Sequence, residues 1–277
     1  MFTYIDSIQD LDFLNKELLQ KTFLGVDTEF RRTSKNNMKL GLLQVNDDEE
    51  IYLIDTILIE EPKEQCSFLF SDSVTKIFHS CKEDIEAIYS WSGRVLVNLF
   101  DTQLAEAFLG GNYSIGYQPL VEQRLDIILD KNETRSNWIR RPLTDSQLKY
   151  AAADVEFLVY LFLEQRELLK DTKKLEWHNE EIRLLIPKVL CSSNNNETII
   201  SKLDKSEENQ LLNKFHEIVI NISDNEGINP TLFFSKKNQR DFIRICFNKG
   251  LHEASLNLSK WRRDLILDPL KNILEGY

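Results

Sequence analysis

The first strong hydrophobic run of the chain, Thr22 to Arg31 (TFLGVDTEFR), is broken by two acids, and shorter apolar runs follow at Leu40 to Val45 and Ile51 to Asp55. The acidic tetrad Asp47-Asp48-Glu49-Glu50 separates the last two, so the spacing predicts a three-stranded antiparallel meander. Lys76 to Ser80 (KIFHS) reads as a short strand running into Ser80-x-x-Glu83, a capping-box pattern that opens a helix as far as Trp91. Strand passes to helix again at Val95 to Phe100, where Asp101 can cap a helix that stops at Gly110-Gly111. This order fits an α/β fold, a mixed sheet with flanking helices.

The segment from Asn112 to Pro142 shows no regular period. Beyond it, Thr144 to Lys170 reads as one long helix with Thr144 and Gln147 as its capping pair. Leu148, Ala152, Val155, Val159 and Phe162 form its core stripe, and Tyr150, Asp154, Phe157 and Leu161 a second stripe roughly opposite. From Leu175 the chain is helical and charged, and the polar stretch CSSNNN (Cys191 to Asn196) reads as a linker. The expected organisation is an α/β domain over residues 1–172, a helical connector over 173–200, and a small all-helical domain over 201–277. The last carries amphipathic helices around Leu211 to Ile220 and Gln239 to Phe247, and a final WRRDLILDPLKNIL.

A chain of 277 residues, 42% hydrophobic and 29% charged, is large enough for one or two packed domains. No apolar run approaches the ~18 residues of a membrane helix, and MFTYIDSIQD lacks the basic-then-apolar order of a secretory signal, so a cytoplasmic location is expected. Cys66, Cys81, Cys191 and Cys246 stand singly, without metal-ligand spacing. The formal net charge of −11 argues against holding nucleic acid by bulk attraction. The charge is uneven, however: between Thr231 and Arg263, Lys236, Lys237, Arg240, Arg244, Lys249, Lys260, Arg262 and Arg263 face only Asp241 and Glu253.

Asp27 and Glu29 are two apart in a predicted strand, so they share a face. Adjacent carboxylates repel unless they share a proton or have a cation between them, a need that Mg²⁺ answers. Taken singly, such a pair is also explained as strand-end acids facing water. Asp84 falls in a first helical turn, where the macrodipole favours an anion, and Tyr150 is placed i, i+4 from Asp154, within reach of whatever that acid binds. Asp101 reads as a helix cap, His79 as structural, and Trp261 as core.

VDTEF (Val26 to Phe30), HSCKED (His79 to Asp84) and YAAAD (Tyr150 to Asp154) resemble the three exonuclease motifs of the DEDD superfamily in its tyrosine variant, ribonuclease D being the nearest member. LGLLQV, FDTQLAEAFLG and LDKNETRSNWIRRPLTDSQLKYAAADVEFL agree with that family. The resemblance implies a ribonuclease H-like domain in which Asp27, Glu29, Asp84 and Asp154 hold two divalent ions, Mg²⁺ or Mn²⁺, one generating hydroxide and the other stabilising the departing 3′-oxyanion. Tyr150 would position the attacking water, and Lys131, Arg135 and Trp138 would lie along the substrate backbone. The implied substrate is RNA with a free 3′ end, tRNA precursors being the family expectation, and the product a nucleoside 5′-monophosphate. The tail resembles the helicase-and-RNase-D C-terminal type of domain, with room for one copy where full members carry two. A DNA 3′-exonuclease and a catalytically silent RNA-binding scaffold of the same fold are the alternatives, and the presence of all four acids and Tyr150 favours catalysis.

Overall fold

The structure is a computed structural model that describes residues 1–34, 37–60, 62, 64–129, 136–190 and 202–274. It opens with β1 (Phe2–Ile5) and α1 (Ile8–Leu18), two elements not singled out in the sequence; Ser7 caps α1 by accepting from the Asp10 N–H, and Leu11, Leu14 and Leu18 are buried. The expected meander follows as β2 (Phe23–Ser34), β3 (Asn37–Asn46) and β4 (Ile51–Asp55). Next come β5 (Thr75–Phe78), α2 (Lys82–Ser92), β6 (Leu99–Asp101) and α3 (Thr102–Phe108). Among the described residues these strands form one six-stranded mixed sheet in the order β1-β4-β3-β2-β5-β6, with β2 antiparallel to β3 and parallel to β5.

Three local expectations give way to longer-range contacts. Ser80 does not cap α2: it lies at φ 64°, and the backbone N–H groups of Ser80 and Cys81 donate to the Asp101 carboxylate at 3.1 and 2.8 Å. A buried acid from the neighbouring strand thus displaces the local cap. The stretch expected to be irregular contains α4 (Tyr117–Leu125). The single long helix is two, α5 (Asp145–Glu156) and α6 (Leu158–Asp171), and the capping box of Thr144 and Gln147 opens the first as expected. The break falls at Phe157, whose N–H donates to Tyr117 Oη at 2.9 Å, while Asn46 Nδ2 donates to the carbonyls of Val155 and Glu156, each at 3.0 Å. Those groups satisfy the helix-end carbonyls and amide that would otherwise continue the spiral.

The remaining helices are α7 (Leu175–Leu190), α8 (Lys205–Glu226), α9 (Pro230–Phe234), α10 (Lys236–Lys249), α11 (Leu251–Ser255) and α12 (Lys260–Leu274). They share one apolar cluster with the sheet side of the molecule: Ile77, Phe100, Phe108, Val155 and Phe162 are continuous with Leu211, Phe215, Phe233 and Trp261. Trp261 is core, as expected, stacked on Trp177 at 5.1 Å and edge-on to Phe108 at 5.2 Å. The Asn229 N–H donates to the Ala107 carbonyl at 2.8 Å, which fixes α9 against the end of α3.

Candidate active site

The register of β2 on β3 runs without a shift from Gly25 to Glu29, so Gly25, Asp27 and Glu29 face the same side of the sheet. That side is covered by the α5–α6 junction: a Cβ added to Gly25 would stand 3.0 Å from Leu158 Cβ and 3.3 Å from the Val155 carbonyl oxygen. Close approach there brings α5, with Tyr150 and Asp154, over the two strand acids. Asp84 arrives from the other side, because α2 packs across β2 and β3 on the opposite face. β5 pairs with β2 only over Phe23–Gly25, which leaves the following edge of β2 open to the first turn of α2.

Thr28 alternates away from its acidic neighbours and donates its Oγ1–H to Asp84 Oδ1 at 2.6 Å. The start of α2 is itself anchored by Asp101, whose two oxygens accept from the N–H groups of Ser80, Cys81, Gln103 and Leu104 at 2.8 to 3.1 Å. One carboxylate therefore caps α3, as expected, and also seats the turn that carries Asp84. His79 is structural: Nε2 lies 2.9 Å from the Ile115 carbonyl, and Nδ1 2.9 Å from Thr102 Oγ1.

Electrostatics joins the four acids. Burial, together with the charges of Asp84, Asp154 and Glu29, pushes the Asp27 carboxyl well above the usual range. Glu29 is pushed up to about 9, by burial and then by Asp154 and Asp84. Asp84 and Asp154 are also raised, chiefly by burial, against hydrogen bonds from Thr28 and Tyr150 that favour their anions. Burial and the nearby Asp154 hold the Tyr150 phenol neutral far above neutral pH, and burial with the same acid does so for Tyr117. Tyr117, which no motif marks, thus belongs to the same neighbourhood.

These residues fit a cationic cofactor. The acids are raised by burial and by one another, which is the condition that a bound cation relieves. Beside them the fully buried Gln44 pairs across the strands with Asp27, and neither amide atom of Gln44 has a hydrogen-bond partner among the described residues. Among the described residues no three ligand-type side chains close into a ready-made cage. The set is an open cluster, coupled through repulsion rather than contact.

Of the expected substrate contacts, Lys131 and Arg135 lie outside the described residues. Trp138, expected along the substrate backbone, is instead only 5% exposed and packs with Leu42, Leu53 and Ala151. Its ring stands 6.1 Å from that of Tyr150, so it backs the tyrosine from inside. Its seat is fixed by Arg141, whose guanidinium donates to the Trp138 carbonyl at 2.8 Å and to the buried Asp55. The same side chain reaches the carbonyl of Gly41, where any Cβ would stand 2.5 Å from the Trp138 oxygen. A cavity of about 410 Å³, lined by Gln118, Ile128, Leu129, Ser146, Lys149 and Ala153, opens beside Tyr150 and Asp154.

The coupling of the acids has a measurable consequence. Folded Glu29 keeps its proton up to about pH 9, whereas an unfolded glutamate loses it near 4.5. The folded chain binds the extra proton between those values, so this group's contribution to stability is greatest below the lower one and is lost as pH rises through the upper. In chelator, Asp27→Asn is expected to melt above the parent at pH 8, by more than at pH 5. A variant that melts at or below the parent at pH 8 contradicts the repulsion.

With this geometry, known proteins give a consistent picture. The family model described as 3'-5' exonuclease matches residues 2–170, and the chain belongs to that family. Ribonuclease D of Shewanella sp. (strain ANA-3) is 38% identical over 181 residues, which is 65% of this chain and 47% of that protein. The chain spans about half the length of the curated relatives it matches. The crystal structure of Escherichia coli RNase D, described as an exoribonuclease involved in structured RNA processing, superimposes with a TM-score of 0.67 at 24% identity, covering 100% of this chain and 75% of its own. Brucella melitensis NrnC with bound Mg²⁺ shares the fold with a TM-score of 0.59 at 20% identity, over 71% of this chain and 98% of that one. No helix among the described residues is long and apolar enough to cross a membrane.

Proposed function

We propose that the chain is a metal-dependent 3′→5′ exoribonuclease that trims RNA 3′ ends, tRNA precursors among them, and releases nucleoside 5′-monophosphates. The observation that carries this reading is the meeting of Asp27, Glu29, Asp84 and Asp154, from three separate elements, in one electrostatically coupled cluster with Tyr150 bonded to Asp154. Two divalent ions held by those four acids would supply the Lewis acidity that activates water and neutralises charge at the scissile phosphate. Hydrogen bonds from Thr28 and Tyr150 favour the anions of Asp84 and Asp154, against the burial that raises both, and cations bound there would tip the balance to the ionised forms. The neutral Tyr150 hydroxyl orients a water molecule for attack, and the cavity beside it has room for one nucleotide, with Lys149 on its wall as a phosphate partner. RNA with a free 3′ end is the partner, and the location cytoplasmic. We retain residues 1–172 as the catalytic unit, 173–200 as connector and 201–277 as a helical accessory unit.

Incubating the protein with a 3′-extended tRNA, with Mg²⁺ or Mn²⁺ and with or without chelator, tests this directly. Stepwise shortening from the 3′ end with 5′-monophosphate products is expected. Absence of cleavage in both metals refutes it, and equal cleavage of a matched DNA refutes the RNA assignment.

Seven of the eight basic residues of the tail fall into two groups, and the eighth, Arg263, is half-buried. Arg262 reaches Glu181 and the carbonyls of Leu232 and Phe233, and Arg244 pairs with Glu208, so both serve the fold. Lys236, Lys237, Arg240, Lys249 and Lys260 are exposed. If these tether RNA through phosphates, a Lys236→Glu/Arg240→Glu double variant is expected to raise KM severalfold for a long structured RNA, to flatten its salt dependence, and to leave a short oligonucleotide unaffected. Equal losses on both substrates reject the tether.

A further inference from the structure

We infer that Gln44 is a positioning residue that orients the Asp27 carboxylate for a bound divalent cation, an inference that rests on the metal-dependent reading proposed above. Gln44 lies in the middle of β3 and pairs directly with Asp27 on β2 and with Leu53 on β4. Cross-strand partners project from the same face, with Cβ atoms about 5 Å apart. The glutamine amide is therefore under α5, within a side chain's length of Asp27.

The environment makes this amide an oddity. Gln44 is 0% exposed and both Nε2 and Oε1 lack a partner among the described residues. On the same face of β3, the other buried amide is fully engaged: Asn46 donates to the carbonyls of Val155 and Glu156 and accepts from the Asp48 N–H at 2.8 Å. The residue on that face two positions the other way, and the partner on β4, are the leucines Leu42 and Leu53, both 0% exposed. An orphaned buried polar group loses its hydrogen bonds to water and regains none, a penalty that a third leucine would avoid. Among the described residues, the one position on this face of β3 where an amide is buried without a partner is thus the position opposite Asp27.

The chemistry supplies a use for both atoms. Nε2 is a donor that can turn toward one oxygen of Asp27, leaving the other for a cation, and Oε1 is an acceptor for a water molecule carried by that cation. The amide brings no charge, so it directs the carboxylate without competing with a cation for it, as a lysine or arginine there would. Thr28 already does the corresponding work for Asp84, donating at 2.6 Å from the other face of β2. Removing outer partners of this kind typically weakens metal binding 10- to 100-fold.

The test uses Gln44→Leu, with Gln44→Met as a second variant of similar volume. Melting in chelator and Mn²⁺ binding by calorimetry are measured for both and for the parent. The inference expects the two readouts to move in opposite senses: chelated melting equal to or above the parent, because the orphaned amide is gone, and Mn²⁺ affinity lowered at least about tenfold. RNA cleavage should recover as Mn²⁺ is raised. Mn²⁺ affinity equal to the parent's in both variants, or both melting well below the parent in chelator, overturns it, since a merely structural amide behaves that way. A parent chain that takes up no Mn²⁺ overturns the metal-dependent reading and this inference with it, which separates that failure from failure at Gln44 alone.

Discussion

Asp154→Asn is expected to lower turnover of a 3′-extended RNA by on the order of a hundredfold or more while the protein remains folded, and Asp27→Asn to do the same. The physical basis is that both acids are raised by burial, and Asp27 by its carboxylate neighbours as well. A neutral isostere is therefore tolerated by the fold, whereas the charge that attracts the cation is lost. Tyr150→Phe is the graded control: it removes the hydroxyl bonded to Asp154 and leaves the ring against Trp138, so its loss should be smaller than that of either aspartate variant. Steady-state cleavage paired with thermal melting reads both quantities. Near-normal turnover in either aspartate variant, or a Tyr150→Phe loss as large as theirs with metal still bound, contradicts the assigned roles.

The second large effect is on stability. Asp101→Ala should destabilise the chain by at least about 3 kcal/mol, since four backbone N–H groups, two at the start of α2 and two at the start of α3, lose their shared acceptor in a buried setting. A cap that served only α3 would cost about 1 kcal/mol. Denaturant unfolding distinguishes the two magnitudes. Because the same substitution loosens the turn that carries Asp84, Mn²⁺ binding should weaken as well, and a variant with a 1 kcal/mol loss and unchanged metal affinity would show that Asp101 is an ordinary cap.

What the chain reveals unaided follows from the range over which each feature is decided. The meander is legible because alternation and an acidic turn are local, and the acids of β2 because two residues in a strand share a face by geometry alone. Capping at Thr144 and Gln147 is equally local. The helix break at Phe157 is not: the groups that impose it are Asn46 and Tyr117, remote in sequence and brought up only by the folded sheet and α4. Ser80 likewise carries the pattern of a cap, yet the buried Asp101 carboxylate at the end of β6 takes the Ser80 N–H that Glu83 would need to close the box, and holds that turn at a positive φ. α4 is not legible locally because Pro119 and a mixed polar surface dilute its period. Trp138 looks like a contact residue in a basic stretch, and only the Arg141 bridge to Asp55 turns it inward. Gln44 could not be singled out at all, since lacking a partner is a property of packing and not of residue type.

The apolar cluster that runs from Phe108 and Phe162 into Phe215, Phe233 and Trp261 limits how such a protein can be shortened, by an engineer or by descent. Cutting the chain before α8 would strip the cover from Phe108 and Trp177 and present a continuous oily face to solvent, the kind of surface that draws proteins into aggregates. A minimal catalytic fragment would therefore need that face repainted with polar side chains before its activity meant anything. In a lineage that lost the tail, the compensating substitutions should appear on α3 and α7, at Phe108 and Trp177 first.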